Sequence, residues 1–337
     1  MTSVKEFHVE HEPTASEPGV GAFVFTDAYS VFDWGRMPDA IPRKGASLCT
    51  MGAFNFESLE SAGVPTHYRG VGEDARALAE VENPPVRMAI DLVQVPELPH
   101  EGRAYDYDAY HTEAGENYLV PLEIVFRNRV PEGSSLRRRS EPGEHGLDFE
   151  EWPDRPVELE EPIVEFSTKY EESDRYLARE EAETIAGKAD LAALESVAHE
   201  VERVVSEQAR STGFVHEDGK IECCYVDGEV RVADVVGTFD ENRFSYAGQQ
   251  LSKEVLRGYH KRTQPDWVEA VESAKDDAKS ENIADWRALC GRDPEPLPTE
   301  VVDLASEMYA AGTNAYTDEE WFAAPPIDAV IERVRSL

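Results

Sequence analysis

A large excess of acidic side chains is the strongest constraint that this sequence places on its folding. The chain of 337 residues has 69 Asp and Glu against 33 Lys and Arg, and its formal net charge is -36. Buried carboxylates are costly unless they are paired, so most of these side chains must stay on a hydrated surface. Concentrated salt screens the repulsion among such surface charges. We therefore expect a halophilic protein from a cytosol of very high salt.

The charge and the hydropathy of the chain also exclude several classes of protein. A strongly negative surface repels phosphate backbones and anionic lipids, so we expect neither nucleic acid nor a membrane as a partner. The sequence has no apolar run of about 18 residues and no signal-peptide pattern at its N-terminus, which indicates a cytoplasmic location. The sequence leaves open whether the chain forms a homo-oligomer.

The order of strand and helix patterns indicates an α+β fold. Strand patterns such as GAFVFTD and VRMAIDLVQV occur early in the chain, around one helix that ends at Gly63. A long amphipathic helix is predicted from Arg179 to Thr212, and the chain is predicted to be mostly helical after Leu251. These patterns predict three parts of the chain. They are a β-rich part at residues 1–96, a polar surface loop or insertion at residues 97–118, and an α+β part at residues 119–337.

One hairpin carries the most informative pattern of charge. In residues 217–234, EDGKIECCYVDGEVRVAD, alternate side chains of the first strand share a face, so Asp218, Lys220 and Glu222 point the same way. Charges in a hairpin that is otherwise apolar need partners or a ligand. The lysine carries extra weight because the chain has only nine lysines. For the hairpin alone, a solvated acidic face is the alternative interpretation.

The register of this hairpin determines whether a second carboxylate joins the first. A three-residue turn at 227–229 would place Asp234 opposite Glu222, where a divalent cation such as Mg²⁺ could bind both carboxylates. A two-residue turn at Asp227 and Gly228 would place the two carboxylates on opposite faces of the hairpin. Joint ligation of a metal ion therefore predicts the three-residue turn, and a two-residue turn would rule out the assignment of both carboxylates to one ion.

Three other stretches combine charged side chains with hydroxyl groups or aromatic rings. EIVFRNRVPEGSS places an arginine on a strand before a turn with two serines, which fits an anionic group such as phosphate. TDAYSVFDWGRMPDAIPRKG is predicted to be a structured loop, and FDENRF is predicted to be a charged turn. The candidate site residues in these stretches are Arg127, Ser134, Ser135, Asp33, Lys44, Asp240 and Arg243.

Taken together and in order, these stretches resemble the phosphoribosylaminoimidazole-succinocarboxamide synthetase (SAICAR synthetase) family. TDAYSVFD…IPRKG is similar to the family pattern TDRxSAFD…IPxKG, and LEIVFRNRVPEGSS is similar to VExVVRN(R/Y)xxGS. PIVEFSTKYEESD and LPTEVVDLASEMYAAGTNAY resemble two further family stretches. The most specific match joins the hairpin and the turn after it, in DGKIECCYVDGEVRVADVVGTFDENR. The chain departs from the family pattern at Ala28, Cys223, Cys224 and Val235.

The scarce lysines agree with this resemblance. Five of the nine fall in or beside stretches that are similar to lysine-containing stretches of the family. They are Lys5, Lys44, Lys169, Lys220 and Lys253.

The resemblance implies a two-lobed fold and a ligase of purine biosynthesis. A small antiparallel β-rich lobe, residues 1–96, and a larger α+β catalytic domain, residues 119–337, would hold ATP between them. The enzyme would join the imidazole ribotide CAIR to L-aspartate through an acyl phosphate and release SAICAR, ADP and phosphate. The implied small-molecule partners are CAIR, aspartate and ATP, with Mg²⁺ as the metal cofactor.

The resemblance also implies roles for the candidate residues. Glu222 and Asp234 look like Mg²⁺ ligands, and with Asp218 and Lys5 they would form the ATP site. Two cations, Lys220 and Arg127, would act in catalysis by neutralising developing charge. The substrate site would contain Asp33, Lys44, Arg127, Ser134, Ser135, Asp240 and Arg243.

Two other interpretations of the sequence remain open at this point. A kinase-like phosphotransferase could use a similar ATP site on another small acceptor, although the HRD and DFG signatures of protein kinases are absent from the sequence. A non-catalytic acidic protein could use its carboxylates only to hold salt and water. Dependence of ADP release on aspartate would separate the ligase from the kinase, and binding of ATP with Mg²⁺ at molar salt would argue against the third interpretation.

The acidic composition generates a first prediction, on the salt dependence of folding. We expect the midpoint of thermal unfolding to rise between low salt and molar KCl, because the screening length falls to about 3 Å at 1 M salt. Circular dichroism in a KCl series measures this midpoint. Sucrose, which stabilises folded proteins without screening charge, is the control. A midpoint that is equal or lower in molar KCl would contradict the expectation of a halophilic protein.

Overall fold

Two large antiparallel sheets, one two-stranded sheet and eight α-helices make up most of the regular structure in the described part of the chain. The structure is a computed structural model, and it describes residues 4–132, 134–171, 174–281, 283 and 285–337. The predicted α+β class is confirmed. In the described residues, no helix is both long enough and apolar enough to cross a bilayer.

The first sheet lies in the N-terminal part of the chain and contains β1 (Lys5–His11), β2 (Gly19–Phe25), β3 (Tyr68–Val71) and β4 (Arg87–Leu92). Its strand order is β1-β2-β4-β3. The helix α1 (Lys44–Ser61) begins directly after a residue with positive φ, Arg43, and ends before Gly63, as the sequence predicts. Its apolar side chains pack in the core beneath this sheet.

The segment 97–118 is structured, which corrects the expectation of a surface loop. It forms β5 (His100–Glu101), β6 (Ala104–Tyr105) and the helix α2 (Tyr107–Ala114). Asp106 caps α2, because its carboxylate accepts a hydrogen bond from the Ala109 amide at 2.9 Å. Tyr110 and Ala114 are fully buried. Two buried side chains one helical turn apart anchor this segment although its composition is polar.

The second sheet is built around one long strand, Phe214–Val226. Its strands are β7 (Asn117–Leu119), β8 (Leu122–Val130), β9 (Val157–Thr168), β10 (Phe214–Val226), β11 (Glu229–Ala233), β12 (Asn242–Tyr246) and β13 (Gln249–Gln250). The first half of β10 pairs with β8 and β12, and its second half pairs with β7 and β11. The strand β9 forms one edge beside β8.

The predicted helix from Arg179 to Thr212 is two helices, α3 (Arg179–Ala186) and α4 (Leu191–Ser211). The break follows from Gly187, which has φ of +70°, and from the ring of His111, which lies where a β-carbon at that position would be. The hydroxyl of Tyr118 occupies the break, where it satisfies backbone groups that a continuous helix would have satisfied itself.

The C-terminal part is mostly helical, as the sequence predicts. Its helices are α5 (Glu254–Thr263), α6 (Pro265–Glu281), α7 (Thr299–Thr317) and α8 (Ile327–Val334). One continuous hydrophobic core includes residues of both sheets and of these helices, among them Phe23, Phe126 and Tyr309. All strands of the first sheet lie within the predicted lobe 1–96. The domain bounds themselves stay a prediction.

The hydroxyl of Tyr118 generates a prediction about stability. It donates to the Ala186 carbonyl at 2.8 Å and accepts from the amides of Lys188 and Ala189 at 2.8 and 3.0 Å. We expect Tyr118→Phe to lower the free energy of unfolding by about 1–3 kcal/mol, because it removes three hydrogen bonds and, among the described residues, leaves the Ala189 amide and the Ala186 carbonyl with only their long mutual contact of 3.4 Å. Urea unfolding in molar KCl measures this loss.

Tyr225→Phe is the matched control for that variant. The ring of Tyr225 contacts that of Tyr118, and no hydrogen bond of its hydroxyl occurs in the described part of the chain. We expect it to change stability little. Equal losses in the two variants would contradict the importance of the Tyr118 hydroxyl.

Candidate active site

Strand β10 carries the charged pattern of the sequence into the interior. Asp218 and Glu222 have only 6% and 7% of their surfaces exposed, and Lys220 is partly buried. β10 is the central strand of the second sheet, and its charged side chains are in contact with side chains of opposite charge from β8 and from the residue that follows β9. The alternative of a solvated acidic face is therefore wrong.

A polar cavity of about 410 Å³ opens beside the first half of β10. Its walls come from β8, β10 and β12, from the start of α5, and from the turns that follow β8 and β9. Among the described residues, six cationic and six acidic side chains line the cavity, and the cations offer binding groups for anionic ligands. The cationic side chains are Arg127, Arg138, Lys220, Arg243, Lys253 and Arg257. The acidic side chains are Glu123, Asp174, Asp218, Asp240, Glu241 and Glu254.

Two arginines of this cavity are fixed around Asp218. Arg243 donates from Nε to Asp218 Oδ1 at 2.7 Å, and Arg127 Nη1 lies 3.5 Å from Asp218 Oδ2. Arg127 also donates to Glu165 at 2.8 Å and to the Tyr176 hydroxyl at 3.1 Å. Burial alone would lower the pKa of Arg243, but its contacts with Asp218 more than compensate and raise that pKa. Both guanidinium groups are therefore held in place by the framework.

Lys220 is held at the cavity wall by two acidic side chains. Its Nζ donates to Glu123 Oε1 at 2.7 Å and lies 3.6 Å from Glu241 Oε2. Burial alone would lower the pKa of Lys220, but Glu241 and Glu123 outweigh burial and raise it. The ammonium group therefore stays charged beside the cavity.

A smaller cleft of about 80 Å³ lies beside the second half of β10. Residues of both sheets line it, and most of its wall is apolar. Glu222 and Asp234 provide two of its charged side chains. The apolar and aromatic residues of the wall are Phe7, Phe23, Ile90, Leu92, Val93, Val95, Leu119 and Ala233.

The two carboxylates of the smaller cleft are paired with separate lysines. Glu222 forms an ion pair with Lys169, and Asp234 forms one with Lys5. Burial and the charge of Asp234 raise the pKa of Glu222 to about 7, against the opposing effect of the lysines. Burial alone would also raise the pKa of Asp234, but Lys5 and Lys169 hold it below its usual value.

The predicted register of the hairpin is wrong, although the two carboxylates do meet. The turn has two residues, Asp227 and Gly228, both with positive φ, and Glu222 lies opposite Ala233 in the ladder. Asp234 follows the last residue of β11 and has φ of +62°, so the alternation of an extended strand does not apply to it. The expectation that a two-residue turn would separate the carboxylates assumed that the strand continues through Asp234.

Asp240 links the polar cavity to a buried lysine. It lines the cavity and accepts hydrogen bonds from Lys44 Nζ at 2.6 Å and from the Tyr309 hydroxyl at 2.7 Å. Lys44 itself is fully buried, so it does not reach the cavity surface. Burial alone would raise the pKa of Asp240, but Lys44 and Lys253 outweigh it and hold that pKa below its usual value.

Of the remaining site residues predicted from the sequence, three line the cavity and one does not. Ser134 and Ser135 line its wall, and Ser134 Oγ accepts from the Leu136 amide at 3.3 Å. Asp33 is exposed and does not line the cavity, and its carboxylate lies 2.5 Å from Lys275 Nζ. Asp218, which was predicted to bind ATP, lies in the polar cavity rather than in the apolar cleft.

The motifs of the sequence assign no role to several side chains that the fold brings to the site. Glu123 lies four residues before Arg127 on β8, so the two side chains share a face of the strand. This spacing is a feature of the sequence that indicates that Glu123 lies near the site. Lys169 lies within a stretch that resembles the family, which marks its position but not its partner. Nothing in the local sequence marks Tyr176 or Tyr309 as residues near the cavity.

The donor set at Glu222 and Asp234 fits Mg²⁺ only with additional ligands. Within the described residues, no group of three or more His, Cys, Asp or Glu side chains is placed to hold a metal ion. Mg²⁺ is commonly bound by one or two carboxylates, with water and substrate phosphates completing the shell. Two adjacent buried carboxylates whose mutual repulsion raises a pKa are compatible with that mode of binding.

Fold and site together define a class of protein. The apolar cleft contains the carboxylates of Glu222 and Asp234, and β10 runs from this cleft to the polar cavity with its arginines and lysines. This arrangement suits an enzyme that brings a nucleotide to an anionic substrate.

The family model for SAICAR synthetase matches residues 14–274. A protein of Archaeoglobus fulgidus, provisionally named a phosphoribosylaminoimidazole-succinocarboxamide synthase, is 42% identical over 100% of this chain and 99% of its own length. The chain belongs to the SAICAR synthetase family.

Solved structures have the same fold. The SAICAR synthase of Saccharomyces cerevisiae in complex with SAICAR has a TM-score of 0.63 and 20% identity, over 95% of this chain and 94% of that one. A SAICAR synthetase in complex with ADP has a TM-score of 0.55 and 21% identity, over 88% of this chain and 99% of that one.

Membership of the family confirms the resemblance that the motifs indicate. The chain is an ADP-forming ligase of purine biosynthesis that uses ATP to join CAIR to L-aspartate. The interpretation as a kinase-like phosphotransferase is not favoured.

The buried pair of Lys44 and Asp240 generates a prediction. We expect Lys44→Met to lower the free energy of unfolding at pH 7 by about 3–5 kcal/mol, because it leaves a buried carboxylate without its cation. Adding Asp240→Asn should restore part of the loss. Urea unfolding in molar KCl, with the single Asp240→Asn variant as control, measures both effects.

The same variants test the pH dependence of stability. The pKa of Asp240 is lowered by folding, so its stabilising effect is complete above the unfolded value of about 3.9 and is lost as pH falls through the folded value. In Lys44→Met this effect should disappear, so the variant should lose less stability than the wild type on acidification below pH 4. Parallel acid curves would contradict the pairing.

Proposed function

We propose that ATP binds with its adenine in the apolar cleft, and that CAIR and aspartate bind in the polar cavity. The observation that carries this proposal is the path of β10. Glu222 lines the cleft, and Lys220, two residues earlier on the same strand, lines the cavity. Residues two apart on a strand are separated by about 6–7 Å, so the phosphates of one ligand can reach the carboxylate of the other.

Glu222 and Asp234 are the proposed ligands of Mg²⁺. The ion would supply positive charge for the β- and γ-phosphate oxygens when it is bound. The repulsion between the two carboxylates and their burial support this role, because a divalent cation favours the ionised form of both. Lys5 and Lys169, which contact these carboxylates, lie close enough to neutralise further phosphate charge.

The proposed chemistry has two steps. First, a carboxylate oxygen of CAIR forms a bond to the γ-phosphorus of ATP as the bond to ADP breaks. Next, the aspartate amine attacks the acyl carbonyl, phosphate leaves with the bonding electron pair, and the nitrogen loses a proton to leave an amide. Lys220 neutralises charge on the transferred phosphoryl group, and Arg127 holds the anionic substrate in line. Both cations are positioned before the substrates bind, so neither has to reorganise in the transition state.

The other site residues would bind the substrate or hold its ligands. Ser134 and Ser135 offer hydroxyl and amide groups for the ribotide phosphate, together with the guanidinium of Arg127. Asp240 and Arg243 would contact CAIR. Lys44 would act through Asp240, since it is buried behind that carboxylate.

Two residues have less direct roles in this proposal. Asp218 would orient Arg127 and Arg243 instead of contacting ATP. Asp33 stays a predicted substrate residue, at an exposed turn next to Lys275.

We also propose that the protein works in a cytoplasm of high salt, which its acidic composition supports.

The metal-binding role of Glu222 can be tested by Glu222→Gln. We expect kcat/KM to fall by about 10–100-fold or more at limiting Mg²⁺, because one of the two oxygen donors loses its charge. ADP release is measured in molar KCl with ATP, Mg²⁺, CAIR and aspartate, and each component is omitted in turn. Wild-type activity of the variant at limiting Mg²⁺ would sink the assignment.

Glu217→Gln is the matched control. Glu217 lies on the same strand and is equally buried, but it lines neither the cavity nor the cleft and contacts Gln250. The same chemical change there should leave the Mg²⁺ dependence unaltered. A similar shift in both variants would indicate damage to the strand rather than loss of a ligand.

A further inference from the structure

The turn after β9 forms part of the wall of the polar cavity. In the described part of this turn, Asp174 and Tyr176 line the cavity. The Tyr176 hydroxyl accepts a hydrogen bond from Arg127, and its ring lies under the Arg139 guanidinium at 3.4 Å. Lys169, at the start of the turn, pairs with Glu222. The position of this turn therefore affects both the substrate cavity and the carboxylate pair.

One buried carboxylate, that of Glu171, connects this turn to the segment 97–118. The side chain of Glu171 is only 7% exposed. It accepts hydrogen bonds from Arg175 Nε and Nη2 at 3.1 and 2.9 Å, and from the Tyr107 hydroxyl at 3.0 Å. Tyr107 is the first residue of α2, the helix that Tyr110 and Ala114 anchor in the core.

The contact with Tyr107 joins the turn to α2. The end of the turn is already held against β8 and β9, by the hydrogen bond from Arg127 to the Tyr176 hydroxyl and by the bridge between Ser167 and Tyr176. Glu171 and Arg175 both belong to the turn, so their contact stiffens it. Arg175 also donates to Glu181 at 2.6 Å, but both of these side chains are exposed to solvent, and such a pair contributes little. The hydrogen bond from Tyr107 to Glu171 is better shielded and joins the turn to an anchored helix.

We propose that the segment 97–118 is a positioning element for the substrate cavity, and that Tyr107 acts through Glu171 to set the place of Asp174 and Tyr176. Neither Tyr107 nor Glu171 lines the cavity, so their effect on the reaction is indirect. This inference rests on the proposed binding of CAIR and aspartate in that cavity. It gives a role to a segment that the motifs of the sequence left without one.

Tyr107→Phe tests the proposal, since it keeps the ring and removes one hydrogen bond. We expect KM for CAIR or for aspartate to rise about three- to tenfold, the range that a single hydrogen bond corresponds to. The thermal midpoint and the KM for ATP should change little. Hydrogen exchange of the Arg175 and Leu177 amides, which bond to Thr168 and Phe166, should become faster.

Two further variants separate positioning from general stability. In a Glu171→Gln background, adding Tyr107→Phe should raise KM by much less than it does alone, because the two side chains act as one unit. Tyr225→Phe, the same change at another partly buried tyrosine, should alter neither KM nor exchange in the turn. Equal effects of Tyr107→Phe and Tyr225→Phe would overturn the proposal.

The outcomes also distinguish this proposal from the one on which it rests. Unchanged KM for both cavity substrates in Tyr107→Phe, in an enzyme whose wild type needs both, would overturn the positioning role alone. Substrate-binding defects confined to ATP would overturn it as well. If CAIR and aspartate fail to protect the Asp174–Tyr176 amides of the wild type from exchange, the assignment of the cavity fails instead.

Discussion

The pairing of buried charges along β10 is the interaction on which the rest of the structure depends. This strand is the centre of the second sheet, and it carries two acids and a lysine into the interior. An unpaired charge at such a depth destabilises a protein by several kcal/mol. The fold therefore has to bring Arg127, from β8, to Asp218, and Lys169, which follows β9, to Glu222. The same packing of strands that builds the sheet thus also positions the charged groups of the site.

This arrangement prepares the protein for anionic ligands. The cations of the cavity are fixed by carboxylates that belong to the framework, as in the contacts of Arg243 with Asp218 and of Lys220 with Glu123. Their burial cost is met during folding, so they can stabilise phosphate charge without reorganising. The acidic side chains of the surface and the cations of the cavity thus have different functions. The surface keeps the protein hydrated, and the few lysines near the site hold charge where the chemistry needs it.

The sequence predicted the site better than it predicted the geometry of the site. The motif around Lys220 and Glu222 identified the family, because the residue types that the chemistry requires are local and ordered. The predicted length of the turn between β10 and β11 was wrong. The prediction assumed that side chains alternate between the two faces through Asp234, but the positive φ of Asp234 ends this alternation. The break before α4 was missed for a similar reason, since the hydroxyl that stabilises it comes from Tyr118, far away in the chain.

By itself, the sequence determined the α+β class, the acidic surface, the family and most of the charged side chains at the site. These properties depend on composition and on short patterns, which the order of residues records directly. Only the tertiary structure decided which charges neutralise one another, that Lys44 lies behind Asp240, and that the segment 97–118 reaches the turn after β9. Such contacts join residues up to about two hundred positions apart, and they are set by how the sheets and helices pack together. No local pattern encodes them.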